Sequence, residues 1–396
     1  MAGIKYFPTD PKIENKIILL RLDLNVPIKD KKIQDETKIT QALSFLNYLV
    51  QKKAKIVIIS HLGRPEGPSD KNLSLMPIYK YLKEKLKTNI YFFTGEINKE
   101  TKNKFSYLKS SEILLLENIR FYKGEEEDDE NFASNLASLG EIYVNDAFSS
   151  SHRKQASIHN ITKFIKNTYA GPLLKKEIEG IDMIIKNKKD PTTCIIGGSK
   201  ISTKIKVIFN LIKKTNNIVI VGAMANNFLV YKGLEIGMSL VEKGSNEIIE
   251  SIINESKKYN CKIITPLDCN VSKSYQGTVA SRNLNDVKKD EIILDIGPKT
   301  VEKIENILDT SNTVLWNGPA GYFENKDFEF GTNSIAKRIS ENTKNKSLIS
   351  IVGGGDTISA INKCKEKLSF THLSTAGGAF LEYLEGKDLP GLSVLK

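Results

Sequence analysis

Four cysteines in 396 residues, Cys194, Cys261, Cys269 and Cys364, fall at none of the short paired spacings that hold zinc or lay out a disulfide framework. They read as small buried hydrophobes in a reducing compartment. No apolar run is long enough to span a membrane, and the opening Met-Ala-Gly-Ile-Lys lacks an apolar signal segment, so a cytoplasmic protein is expected. Repeats and low-complexity tracts are also missing. The net charge of +11 is spread over both halves of the chain, much of it as lysine on polar helix faces, and no basic stripe interleaved with aromatics runs along it. That argues against a nucleic-acid partner.

What is present is globular: 40% hydrophobic and 27% charged residues, with a length that favours two domains over one core. Short β-branched runs alternate with amphipathic stretches from end to end, the pattern of parallel sheets built from βαβ units. Strands are expected near Ile17 to Leu24, Lys55 to Ser60, Ile90 to Phe93, Ile113 to Leu116 and Ile142 to Asn145, with helices near Glu36 to Lys52, Ser74 to Lys87 and Asp129 to Leu139. In the first strand Leu20, Leu22, Leu24 and Val26 share one face, while Arg21, Asp23 and Asn25 share the other until Pro27 stops the ladder. That leaves a polar working face.

Each strand of this half runs into a polar cluster, and ligands of open α/β sheets bind beyond strand carboxyl ends. The clusters sum to a cationic set, Arg21, Lys38, His61, Arg64, Arg120, His152 and Arg153, against Asp23 and Asp146. Several arginine forks together suit a small, multiply anionic ligand. The acidic run Glu125 to Glu130 reads as a solvated helix entry.

Gly171-Pro172 breaks the chain before an amphipathic stretch, which places a domain boundary at 170/171 with a connecting helix after it. The second half has strands near Thr193 to Ile196, Ile218 to Val221, Lys262 to Ile264, Ile292 to Leu294, Thr313 to Leu315 and Leu348 to Val352. After the first comes Gly197-Gly198-Ser199-Lys200-Ile201-Ser202-Thr203-Lys204, a phosphate cradle with two lysines four apart, expected on one helix face. It has the spacing of neither the P-loop nor G-x-G-x-x-G. Gly353-Gly354-Gly355-Asp356-Thr357 makes a second anion nest with a metal ligand built in.

Six motifs in order, Arg21 to Pro27, Ser60 to Pro65, Gly197 to Lys204, Trp316 to Glu324, Gly353 to Thr357 and Ser374 to Ala379, resemble the phosphoglycerate kinase family. The resemblance covers about residue 17 to the end. It implies two Rossmann-like domains with parallel sheets facing across a cleft, joined by the connecting helix, with the tail 389–396 returning to the first domain. It implies hinge-bending, a monomer, and reversible phosphoryl transfer between 1,3-bisphosphoglycerate and ADP, with magnesium accompanying the nucleotide. The resemblance assigns Asp23, Leu24, Asn25, Lys38, His61, Leu62, Gly63, Arg64, Arg120 and Arg153 to phosphoglycerate. It assigns Gly198, Lys200, Lys204, Asn317, Glu324 (on the ribose), Gly354, Gly355, Asp356 and Thr357 to nucleotide, Asp356 to the metal, and Lys38, Lys204 and Gly377 to catalysis.

In the ATP-consuming direction the nucleophile is a carboxylate, already ionised at neutral pH, which explains why no catalytic base stands out. Two positions depart from the family pattern. Lys38 stands where arginine is usual, and Ala376 where a third glycine is more common, so a helical or extended φ is expected at Ala376. The alternatives are a phosphotransferase acting on another acyl phosphate, and a nucleotide-binding protein without turnover.

Overall fold

The computed structural model describes residues 3–67, 70–105, 107–364 and 366–396. It divides into two compact units: residues 1–178 with 388–396, and residues 179–387. The division falls inside one helix, Pro172–Ile185.

The first unit holds a six-stranded parallel sheet in the order Ile90–Phe93, Ile113–Leu116, Lys55–Ile59, Ile17–Leu22, Ile142–Asp146, Asn167–Ala170. Strands such as Ile113–Leu116 are buried at every residue, as a sheet covered on both faces demands. One face packs against the helices Thr37–Gln51 and Met76–Lys85, whose Ile39, Leu46, Leu49, Ile78 and Leu82 lose all exposure. Each such side chain contributes roughly 1.5–3 kcal/mol relative to an exposed one.

The chain builds outward from Ile17–Leu22 on one side, then crosses to Ile142–Asp146 on the other. This is a topological switch point, where loops part and leave a crevice at the strand ends.

The second unit repeats the plan: Lys262–Ile264, Asn217–Ile220, Thr192–Ile196, Thr313–Asn317, Ile349–Gly353, His372–Ser374, all parallel, with the switch between Thr192–Ile196 and Thr313–Asn317. It adds an antiparallel sheet in the order Ala280–Asn283, Asp268–Ser272, Ile292–Ile296. The run near Ile292, expected among the parallel strands, belongs to this extra sheet. Local apolar content does not encode strand direction. Among the described residues no helix is long and apolar enough to cross a membrane. Cys194, Cys261 and Cys269 are buried, whereas Cys364 is half-buried.

Candidate functional site

The first strand ends at Leu22, five residues before Pro27, so Asp23 and Asn25 lie in the loop beyond it and not on a strand face. Arg21 is fully buried inside the sheet, paired in register with Ile59 and Asn145. The polar alternation therefore marks a strand end and not an open face.

The loop is fixed by cross-connections. Ser60 Oγ accepts from Leu24 N at 3.1 Å and donates to Leu22 O at 2.9 Å. Asn25 Oδ1 accepts from Gly63 N at 2.9 Å. Leu24 and Leu62 are buried, so they offer this pocket backbone and not side chain. Asp23 takes three donors: Asn25 N on Oδ1 at 3.1 Å, then Lys38 Nζ at 2.7 Å and Ser149 Oγ at 2.5 Å on Oδ2. Burial alone would raise the Asp23 carboxyl, but the Lys38 ammonium foremost outweighs it and holds the group below its ordinary value.

Arg120 donates Nη1 to Gly63 O at 2.6 Å, while its Nε lies 3.6 Å from Glu126 Oε1, beyond hydrogen-bond range. Among the described residues that buried Nε has no hydrogen-bond partner. Burial, then the neighbouring Arg153 and Arg21 guanidiniums, push Arg120 down to about 10. A cation pressed against other cations favours an incoming anion. Arg153 is half-buried and Arg64 exposed. The structure thus brings Asp23, Asn25, Lys38, His61, Gly63 and Arg120 to one strand-end surface.

Two acids differ from expectation. Glu125 is fully buried, accepting from Ser157 N at 2.8 Å and Ser157 Oγ at 2.6 Å. The run it opens is therefore not uniformly solvated. Asp146 turns away from the cationic set: it accepts from Leu174 N at 2.8 Å in the first turn of Pro172–Ile185, and burial pushes its carboxyl up to about 7.

In the second unit, backbone takes the place of side chains. Gly197 and Gly318, which has φ 101°, sit so close that a Cβ on either would overlap the other's peptide, and Gly197 N donates to Asn317 O at 2.8 Å. Asn317 accepts from Lys204 Nζ and donates to Gly353 O at 2.7 Å. Thr357 Oγ1 accepts from Gly318 N at 2.7 Å. The helix Gly355–Lys363 starts after Gly354, whose φ is 107°. Burial lowers Lys204, with Asp356 and Glu385 opposing it.

Gly198, Lys204, Asn317, Gly354, Gly355, Asp356, Thr357 and Gly377 line one pocket. An adjoining cavity of about 240 Å³ shares Gly198 and Asp356 and reaches Glu324. Lys200 lines neither and is exposed. The helix begins at Ile205, so Lys200 and Lys204 do not share a helix face. Ala376 has negative φ, and the positive value falls on Gly377 at 54°.

The apolar wall of this adjoining cavity, with Leu229, Leu240, Pro266, Tyr275, Ile292, Ile293, Leu294 and Ile296, has no chemical signature in the sequence. Its residues are ordinary core types, and the antiparallel sheet that supplies many of them was not anticipated.

Each α/β unit carries a candidate anion pocket at its topological switch point, an arrangement suited to an enzyme that handles small phosphorylated molecules. The family model described as phosphoglycerate kinase matches residues 9–387. The chain is 45% identical over 386 residues to the phosphoglycerate kinase of Wolbachia pipientis wMel, covering 97% of this chain and 96% of the relative. It is 39% identical over 398 residues to that of a Chelativorans species, covering both in full. The solved phosphoglycerate kinase from Coxiella burnetii superposes with a TM-score of 0.87 at 34% identity, over 98% of this chain and 97% of that one. The chain belongs to the phosphoglycerate kinase family.

Proposed function

We infer that the chain catalyses reversible phosphoryl transfer from 1,3-bisphosphoglycerate to ADP, giving 3-phosphoglycerate and ATP. Family membership over residues 9–387 carries the reaction. The crowding of Arg120 by Arg153, with a buried Nε that has no hydrogen-bond partner among the described residues, supports a phosphate-bearing substrate at the first unit.

In this reading Arg64, Arg120, Arg153 and His61 hold the phosphate that stays, with Asp23 and Asn25 on the rest of the phosphoglycerate. Lys38 leaves Asp23 to face the migrating phosphoryl group. Lys204, held by Asn317, meets the same group from the nucleotide side together with the backbone of Gly377. Glu324 takes the ribose, and Gly354 to Thr357 take the phosphates. Positioning and charge neutralisation accomplish the transfer, because neither nucleophile needs a base: the ADP β-phosphate oxygen attacks as the carboxylate leaves, and in the ATP-consuming direction the carboxylate attacks, each already ionised at neutral pH.

The single exposed carboxylate of Asp356, at a helix start beside the glycine nest, fits Mg²⁺, which is held by one or two carboxylates plus nucleotide phosphates. Bound there, the ion would neutralise phosphate charge.

A coupled assay tests the reading: ATP formation from 1,3-bisphosphoglycerate and ADP is expected, and binding of nucleotide without turnover would overturn it. Transfer also requires the two ligand sets to meet on one phosphoryl group. Small-angle scattering should give a smaller radius of gyration with both substrates bound than with neither, and an unchanged value would reject closure.

A further inference from the structure

Arg21 belongs to the cationic set by sequence, yet it is fully buried and its hydrogen bonds run to interior groups. Its Nε donates to Ser157 Oγ at 3.0 Å and its Nη1 to Leu22 O at 2.6 Å, while Nη2 lies 3.1 Å from His61 Nδ1. A guanidinium has five N–H donors and no acceptor. The Arg21–His61 contact is therefore a hydrogen bond only if Nδ1 supplies the lone pair. An imidazolium carries protons on both nitrogens and has none to offer. His61 is then neutral, with its proton on Nε2.

The arrangement is stabilised from behind. Ser157 Oγ accepts from Arg21 and donates to Glu125 Oε1, so a buried carboxylate balances the buried guanidinium through one hydroxyl. The charged groups around His61 point the same way. Arg21 comes from its own sheet, Lys38 from the helix Thr37–Gln51 and Arg120 from the turn Ile119–Phe121, and only Asp23 favours a positive ring. With burial as the leading cause, they hold His61 well below the ordinary imidazole range.

We propose that Arg21 is a positioning residue that locks His61 as the Nε2–H tautomer, so that His61 gives the substrate phosphate a directional hydrogen bond while Arg64, Arg120 and Arg153 supply the charge. The part concerning phosphate rests on the functional reading above. The part concerning the tautomer does not.

The two parts fail separately. A two-bond proton–nitrogen correlation spectrum of ¹⁵N-histidine-labelled enzyme, with the His61 signals assigned by His61→Gln, reads the tautomer without substrate. The Nε2–H pattern, constant from about pH 8 to about pH 5.5, is expected. A tautomer mixture, or a ring that titrates in that window, overturns the lock. Arg21→Met alone strands Glu125 as a buried unpaired charge, so the informative variant is Arg21→Met with Glu125→Leu, which removes both charges. In it His61 should sample both tautomers and titrate; an unchanged spectrum would show that Arg21 is not the cause.

For the phosphate, His61→Gln keeps a donor near the Nε2 position and His61→Asn moves it toward Nδ1. The KM for 3-phosphoglycerate should rise roughly tenfold more for Asn than for Gln, the size of one hydrogen bond to a charged group. Equal values would remove His61 from the phosphate and leave the tautomer result standing.

Discussion

In the first unit the groups proposed for an anion are side-chain ends, Lys38 held on Asp23 with Ser149 behind it, and Arg120 hung on the main-chain carbonyl of Gly63. In the second they are backbone amides of glycine turns, where Gly197 and Gly318 pack without space for a Cβ, plus one half-buried lysine on Asn317. The two materials respond differently to substitution. A side-chain pocket can lose one charge and keep its shape. A backbone cradle cannot change a residue without moving the chain.

The sharpest way to break the comparison is Lys38→Ala, which removes a cation and leaves the fold. Turnover is expected to fall by about a hundredfold or more, in the range of one lost transition-state donor, with a smaller drop in thermal midpoint because the buried Asp23 carboxylate loses its cation. A near-normal rate would show that the ammonium on Asp23 is a structural ion pair and not part of the machinery.

Gly318→Ala tests the opposite material. With φ at 101° and Gly197 in the way, the methyl group should cost about 1–3 kcal/mol in denaturant titration and raise the KM for ADP severalfold, while the KM for 3-phosphoglycerate holds. Equal damage to both Michaelis constants would mean that the two pockets are not independently built.

Arg64→Ala is milder. An exposed cation contributes ground-state attraction, so the KM for 3-phosphoglycerate should rise about tenfold with kcat nearly constant. No change would favour an acyl phosphate lacking a second phosphate.

The smallest effect concerns stability. Asp146 has its folded pKa raised to about 7 by burial, so the folded state binds the proton more tightly than the unfolded chain does. Its contribution is intact below the ordinary carboxyl range and is lost as pH rises toward and through 7. Asp146→Asn removes that loss. The urea midpoint of the variant relative to the parent should increase between about pH 5 and about pH 8, and a flat difference would show that Asp146 is ionised throughout.

These residues also show what a sequence makes legible. The strands and their polar ends could be read because a covered parallel sheet demands apolar runs and the loop beyond a strand end admits charge, and both are local. The glycine turns could be read because positive φ selects a residue type. Glu125 could not, since nothing within a few residues reveals that Ser157, thirty-two positions later, takes it into the interior. Asp146 stood among pocket groups until the helix after it claimed its oxygen. Lys200 and Lys204 were four apart, but the helix begins after both, and element boundaries depend on packing that spacing alone does not carry.

The last nine residues have a bearing on how the molecule is made. Leu389, Leu392 and Leu395 are fully buried, Leu395 O accepts from Lys5 N at 2.8 Å, and Gly391 N donates to Ser151 O at 2.9 Å. Because residues 388–396 complete the unit that the first 178 residues begin, a ribosome delivers everything needed for residues 179–387 before it delivers the closing segment of the earlier one. The half synthesised first is the half finished last, and until then its core waits open for three leucines.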